Sequence, residues 1–374
     1  RRSISDVPIG AFLSGGTDSS LISLTFQQLF DQPINTFTIG FDVPDYDESD
    51  YARQVSESIG SRHSFSRITD KDSLGIAEEI VDFYDEPFAP PSTLPSMMVC
   101  RRAREYVTVA LGGDGGDELF MGYGYYNWMD RVQRLRKLGG GTLQKVASFL
   151  LSNGSNWHKR AARVLDYGQP ESMWLHIWSQ EQYMFSQQEI SQLLQQNYQH
   201  QSLLPAWKEI NELPIHPYEK ISLFDINHYL ADNLLHKMDI ASMASGLEVR
   251  VPYLDHELIE TTINMPLHLK VRNGEQKYLM KKQLAKHLPH DLVYRKKWGF
   301  PAPIGNWLQT ELSYLIDRYL DERIVKRQDL FQHRNIKKLL RDFRGGRQYH
   351  FKRVWALIVF QMWYEKYMDP QLCS

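Results

Sequence analysis

Cysteine is scarce in this chain. Of 374 residues only Cys100 and Cys373 are cysteines, and they form neither a CxxC pair nor a disulfide framework. Chemistry built on paired thiols is thereby excluded, and a reducing, cytoplasmic setting is expected. An excess of positive charge is missing as well. The formal net charge is −2, which supplies no general basic field to recruit a nucleic acid backbone. No apolar run approaches the length that a bilayer span needs; the strongest, VWALIVF at 354–360, reads as a buried helix. Internal repeats, heptads and low-complexity tracts are absent, which sets aside solenoid and coiled-coil architectures. There is no signal peptide and no initiator Met, and Arg1 and Arg2 stand so close to the first strand that the chain is expected to be the C-terminal part of something longer. What is there is globular. Apolar residues make up 42% and aromatics 12%, enough for sizeable cores in a chain long enough for two domains.

The most informative stretch is VPIGAFLSGGTDSS at 7–20. Val7, Ile9, Phe12 and Leu13 suit a short buried strand, and LISLTFQQLF behind the glycines continues at helical spacing. Ser14, Gly15, Gly16, Thr17, Asp18 and Ser19 therefore occupy a turn that opens a helix, where unpaired backbone amides and the helix dipole favour an anion. Glycines there let phosphate oxygens approach the main chain. The kinase-type loop GxxxxGK followed by Ser or Thr is excluded, because no lysine follows the glycines. Asp18 is present instead, and a carboxylate beside polyphosphate calls for a cation between them, which points to Mg²⁺. Taken alone, the stretch can also be a turn with a capping Asp or Ser.

Further on, NTFTIGF at 35–41 predicts a second buried strand and DESDYARQVSESIG a helix ending at Gly60. A strand near His63–Ile68, a helix through IAEEIVDFYDEP and another from about Leu94 lead to the β-branched run YVTVALG at 106–112. Alternation of this kind implies a mostly parallel sheet flanked by helices, with ligands beyond the carboxyl ends of the strands. From about Asp130 the pattern is largely helical, without convincing strand alternation. Trp157, Trp174 and Trp178 read as core, and GTLQKVASFLLSNGSN is expected to include a mobile loop. The expected division is an α/β core at 1–130 and a mostly helical part at 131–374 that completes one catalytic unit.

A second glycine turn, LGGDGGDELFMGY at 111–123, carries Asp114, Asp117 and Glu118. Three acids in so tight a turn are costly unless a cation sits among them. Either this is a solvated acidic cap, or it offers a second carboxylate to the cation already placed at Asp18.

SGGTDSS resembles the pyrophosphate-binding (PP-loop) turn of the ATP-pyrophosphatase superfamily. Over nearly its whole length the chain then resembles the synthetase half of the asparagine synthetase family, the glutamine-dependent type. The likeness runs through TFTIGF with YDES, YDEPFAPPS at 84–92, the acidic glycine turn, LLHKMDIASMASGLEVRVPYLDHELIE at 234–260, NGEQKYLMKKQLAKHLP, and YRKKWGFPAPIGNWL at 294–308. It implies an ATP-dependent, AMP-forming ligase that turns aspartate into asparagine through a β-aspartyl-adenylate.

The resemblance implies that Leu13, Ile39 and Gly113 meet the adenosine end of ATP, that Ser14, Gly15, Gly16, Asp18 and Ser19 cradle its pyrophosphate, and that Gly112 also belongs to the ATP site. Asp18 and Asp117 would hold Mg²⁺, Asp114 would serve the adenylate step, and Lys277 would reach the phosphates. Without the resemblance, Lys277 is one lysine among several on an amphipathic helix, and Lys281 and Lys282 read as solvated helix-face charges. Asp239, Ser242, Arg250 and Asp255 fall in the family's amino-acid side of the pocket. Arg250 can bind a substrate carboxylate bidentately or form an ion pair with Asp255 or Glu248. Asp114 stands where the family often has Glu, Gly112 replaces a serine, Pro90 an Asp and Met121 a Gly, which leaves open another acceptor carboxylate from a peptide or glycan pathway. The resemblance also implies ammonia from an N-terminal glutaminase domain or subunit whose nucleophile is a terminal cysteine, a role the internal Cys100 cannot fill. No nucleic acid or membrane partner is expected, and a homodimer stays open.

Overall fold

In the computed structural model, residues 1–151, 156–166, 173–182, 184–185, 187–196, 203–295 and 302–368 are described. The first half alternates as its hydrophobic pattern predicts: β1 (Ile9–Phe12), α1 (Thr17–Gln27), β2 (Asn35–Phe41), α2 (Ser49–Ile59), β3 (Arg62–Ile68), α3 (Asp70–Phe83), α4 (Thr93–Arg104) and β4 (Val109–Leu111). α2 does stop at Gly60. α3 starts earlier than expected, because Thr69 and Asp72 form a reciprocal capping box that fixes its entry. β4 is shorter than its β-branched run, with Tyr106 exposed, and Val7 lies outside β1 and is also exposed.

The sheet order is β3-β2-β1-β4-β5, and every neighbouring pair is parallel. β5 (Glu248–Arg250) lies in the part expected to hold no strand. Its sequence LEVRV does alternate, but only three residues pair, too few for a periodic signal to stand out. Strand order reverses between β1 and β4, so their carboxyl ends splay apart and leave a crevice.

Helices cover both faces of this sheet. Ala110 packs into an apolar cluster with Phe37, Ile39, Leu94, Met238, Trp307 and Trp355. Its neighbour Leu111 packs on the other face with Ala11, Ile22, Phe26 and Met280. The run 354–360 is buried, as expected, inside the helix Phe351–Tyr367, and no helix among the described residues is long and apolar enough to cross a membrane.

α5 (Gly116–Leu119) follows the second glycine turn, and α6 (Tyr125–Leu151) follows that. Of the stretch 141–156, expected to include a mobile loop, residues 141–151 are the last turns of α6. Gln144 and Ser148, one turn apart, donate to the Leu165 and Ala162 carbonyls of the next helix and tie the two together. Residues 152–155 lie outside the described residues, as does the side chain of Trp157. Trp174 and Trp178 are buried in a second apolar cluster with Tyr125, Tyr126, Trp207 and Phe224.

Candidate active site

A cleft of about 500 Å³ opens at the carboxyl ends of β1 and β4, within the size range of small-ligand sites. Leu13, Ser14, Gly15, Gly16, Asp18, Ser19, Ile39, Gly112, Gly113, Asp114, Asp117 and Lys277 all line it. Asp239 and Arg250 do not. Asp239 is exposed on the helix His236–Met243. Arg250 is occupied elsewhere, with Nε donating to Glu248 at 2.6 Å and Nη1 to the Ile4 carbonyl at 2.6 Å. Of the alternatives left open for it, the structure shows the ion pair with Glu248. Asp255 caps the helix His256–Ile263, and the Ser242 hydroxyl donates to the Asp239 carbonyl.

The first turn is held by its own serines. Ser14 N donates to Ser19 Oγ at 3.1 Å, the two hydroxyls lie 2.9 Å apart, and Gly16 N donates to Ser14 Oγ at 3.3 Å. Gly15 adopts φ 70°, and a Cβ there would sit 2.8 Å from the backbone of Tyr51 and Ala52 in α2. Backbone angle and space both require glycine. Gly113 packs its Cα against α1, 3.2 Å from Ser19 N for a notional Cβ, so the two turns touch.

Lys277 enters from a different element. The strands Val271–Arg272 and Glu275–Gln276 form a hairpin across Asn273-Gly274, a pair typical of two-residue hairpin turns. Lys277 follows at once, with φ 56°, so it precedes the helix Tyr278–Leu284 rather than lying on it. This uncommon backbone conformation turns its side chain inward. Gly122 leaves the room: a Cβ there would lie 2.0 Å from Lys277 Cε and 2.0 Å from Asp117 Oδ1. Gln276 Nε2 donates to the Tyr123 carbonyl at 2.6 Å and fastens the hairpin over the second turn.

The Lys277 ammonium lies 2.6 Å from Asp18 Oδ1 and 2.6 Å from Asp117 Oδ1. Burial by itself pulls its pKa down, but Asp117 and Asp18 outweigh it and hold the group protonated well above the usual lysine range. Carboxylates from both glycine turns thus converge on one positive charge. A divalent cation fits the same place, since Mg²⁺ commonly takes one or two protein carboxylates and completes its shell from phosphate oxygens and water. Among the described residues no cluster of three or more His, Cys, Asp or Glu side chains is placed to hold a metal.

Other polar groups of the cleft were not legible as site residues. Lys237 is buried and lines the cleft, and Ser92 Oγ is 3.3 Å from its Nζ. Burial lowers its pKa, while Asp114, Glu118 and Cys100 act against that. The signal available was a lone charge among Leu234, Leu235 and Met238. Asp114 is pushed up by burial, drawn down by Lys237 and raised by Asp117. Glu118 is fully buried; Tyr123 donates to it, and its Oε2 has no hydrogen-bond partner among the described residues. Burial, then the Asp117 charge, lifts its pKa from 4.5 to about 8, so it is neutral near pH 7. Lys281, expected to be solvated, is half-buried in the cleft wall 3.7 Å from Glu275, whereas Lys282 is exposed. Arg295 pairs with Glu48 and stacks over Tyr51 at 4.2 Å. Residues 296–301 of the YRKKWGFPAPIGNWL motif lie outside the described residues.

The asparagine synthase family model matches residues 1–365. The chain belongs to the asparagine synthase family. It is 28% identical over 382 residues to asparagine synthetase (glutamine-hydrolyzing) 1 of Bacillus subtilis (strain 168), covering 98% of this chain and 58% of that protein. A putative asparagine synthetase (glutamine-hydrolyzing) of Mycobacterium tuberculosis (strain ATCC 25618 / H37Rv) is 28% identical over 97% of this chain and 55% of its own length. Similarity is higher over a shorter stretch to putative asparagine synthetase (glutamine-hydrolyzing) 2 of Methanocaldococcus jannaschii, 40% identical over 135 residues, 36% of this chain and 26% of that protein. The chain thus spans little more than half the length of the two relatives it matches end to end.

Proposed function

We propose that this chain, acting as one catalytic unit, is an ATP-dependent, AMP-forming amide ligase that converts aspartate into asparagine. One observation carries the reading: Asp18 and Asp117, from turns closing adjacent parallel strands, meet on a single cation beside a serine-pinned glycine turn. That is the arrangement a metal-bound polyphosphate needs. Membership of the asparagine synthase family supports the choice of reaction.

ATP lies with its phosphates over the amides of residues 14–19 and its adenosine between Leu13, Ile39 and Gly113. A Mg²⁺ held by Asp18 and Asp117 supplies Lewis-acid neutralisation of the phosphates. The side-chain carboxylate of aspartate attacks the α-phosphorus, the bond to pyrophosphate breaks, and a β-aspartyl-adenylate forms. Lys277, whose ammonium the hairpin aims at this point, stabilises charge as pyrophosphate leaves, where stabilisation accelerates the reaction. Asp114, on the second turn, faces the adenylate. Ammonia then attacks the acyl carbon, loses a proton and expels AMP. The relatives' names describe glutamine hydrolysis, so in the cell ammonia comes from a glutaminase domain or subunit.

With ATP, Mg²⁺, aspartate and ammonium, the purified chain should release AMP and pyrophosphate in equal amounts and form asparagine, with no turnover on glutamine in place of ammonium. Pyrophosphate release provoked by other carboxylates but not by aspartate would keep the chemistry and change the acceptor. No release with any carboxylate would refute the reading.

A further inference from the structure

Four cations of the described residues line the cleft: Lys237, Lys277, Lys281 and Arg295. Three of them already face carboxylates. Lys277 contacts Asp18 and Asp117, Arg295 lies 2.5 Å from Glu48, and Lys281 lies 3.7 Å from Glu275. Lys237 differs. No carboxylate oxygen of the described residues lies within 4.0 Å of its Nζ, and among those residues the one hydrogen bond from that ammonium goes to the Ser92 hydroxyl at 3.3 Å. An ammonium has three donors, and a buried one left with a single long contact retains a desolvation cost that an anionic partner relieves.

Lys237 is also fixed in place. Tyr84 donates its hydroxyl to the Lys237 carbonyl at 2.7 Å, and the Tyr84 ring stacks on Phe88 at 5.0 Å, which in turn meets His236 edge-on at 5.0 Å. The segment 84–92 therefore clamps this residue at both ends, its backbone through Tyr84 and its ammonium through Ser92. A long flexible side chain held in this way loses little further freedom when it meets a ligand. Lys237 belongs to the helix that packs on the α4 face of the sheet, while Lys277 comes from the α1 face. The two charges enter the cleft from opposite sides.

We propose that Lys237 is the residue that recognises the carboxylate of the amino-acid acceptor, binding the carboxylate that is not activated and so orienting the other toward the nucleotide. This rests on the ligase reading above and assigns to Lys237 the recognition that Arg250, tied to Glu248 and to the N-terminal segment, does not provide.

The test has two arms. In the first, Lys237→Met keeps the length of the side chain and removes its charge. The KM for aspartate should rise roughly ten- to a hundredfold, the range for losing a charged hydrogen bond, with the KM for ATP unchanged and partial recovery in Lys237→Arg. An unchanged KM for aspartate in an active, folded variant overturns the proposal. The second arm uses the unaltered chain and needs no turnover: an amine-acylating reagent is applied, and modification of Lys237 is read by mass spectrometry. Aspartate should shield Lys237 while ATP alone does not. Modification that aspartate leaves unaffected overturns the proposal even if Lys237→Met fails to fold. Shielding without any pyrophosphate release would instead uphold the binding role and defeat the ligase reading.

Discussion

The two sides of the cleft handle charge in opposite ways. On the α1 side, the one Lys277 ammonium meets both the Asp18 and the Asp117 carboxylates at contact distance and leaves a net negative charge. On the α4 side, Lys237 and Asp114 sense each other's field without touching, and Glu118 holds a proton because its surroundings disfavour the anion. The paired side holds its charges against one another, and a cation taken up there would be held by Asp18 and Asp117 in competition with the Lys277 ammonium. The unpaired side keeps part of its desolvation cost until a ligand arrives. On the proposed reading, one site combines a group that binding would free with a group that binding would complete.

The largest break in this contrast is Lys277→Ala. Loss of one preorganised donor to the leaving group should lower the adenylation rate about a hundred- to a thousandfold, roughly 3–4 kcal/mol. The free protein should also melt at a lower temperature, since two carboxylates lose their shared cation, and added Mg²⁺ should restore part of that loss. Rapid-quench pyrophosphate release and thermal melts with and without Mg²⁺ measure both effects. Near wild-type release would remove Lys277 from the chemistry.

A sharper comparison is Lys281→Ala. Lys281 lines the same cleft but stands 3.7 Å from Glu275 and is partly exposed, so its field at the phosphates is weaker. The expected loss is less than about tenfold in rate, as for a partly solvated pair. Losses equal to those of Lys277→Ala would mean that a diffuse basic wall, rather than one aimed ammonium, serves the leaving group.

The smallest effect concerns Asp225, beneath the second turn. Burial lifts its pKa from 3.8 to about 7, although Tyr125 and Trp178 donate hydrogen bonds to it, the latter at 2.6 Å. Its folded pKa exceeds the unfolded one, so the native protein retains a proton that the unfolded chain releases. The stabilisation is fully present below pH 3.8 and should be lost as pH rises from 3.8 through about 7. Asp225→Asn should flatten the slope whatever its overall cost, and denaturant midpoints across the window would show it. A slope unchanged in the variant would assign the pH dependence to other groups.

Much of this arrangement was legible in the residues. The apolar runs at 7–13, 35–41 and 106–112 read as strands because buried parallel strands are continuous in hydrophobicity, and glycine turns follow the first and last of them. Arg250 and Asp239 show the limit of such reading. A charged residue beside a strand end looks the same in sequence whether it faces the cleft or, like Arg250, the Ile4 carbonyl. Lys237 shows the reverse, since its burial comes from Tyr84 and Ser92, residues distant in the chain. The spacing of NGEQKYLMKK predicts a helix at Lys277, but Asn273-Gly274 turns a hairpin just before it, and that hairpin gives the side chain its direction.

The strand β5 also governs the order in which the protein can be made. Val109 pairs with Glu248, so β4 lies between β1 and a strand that leaves the ribosome only after all of α6 and the helices behind it. Until then the sheet ends in Val109, Ala110 and Leu111 with their backbone groups unpaired, an apolar edge of the kind that recruits other chains. Pairing so distant in sequence forms late and slowly, which lengthens that exposure. A nascent chain halted before residue 248 would therefore be a client for chaperones rather than a working nucleotide site.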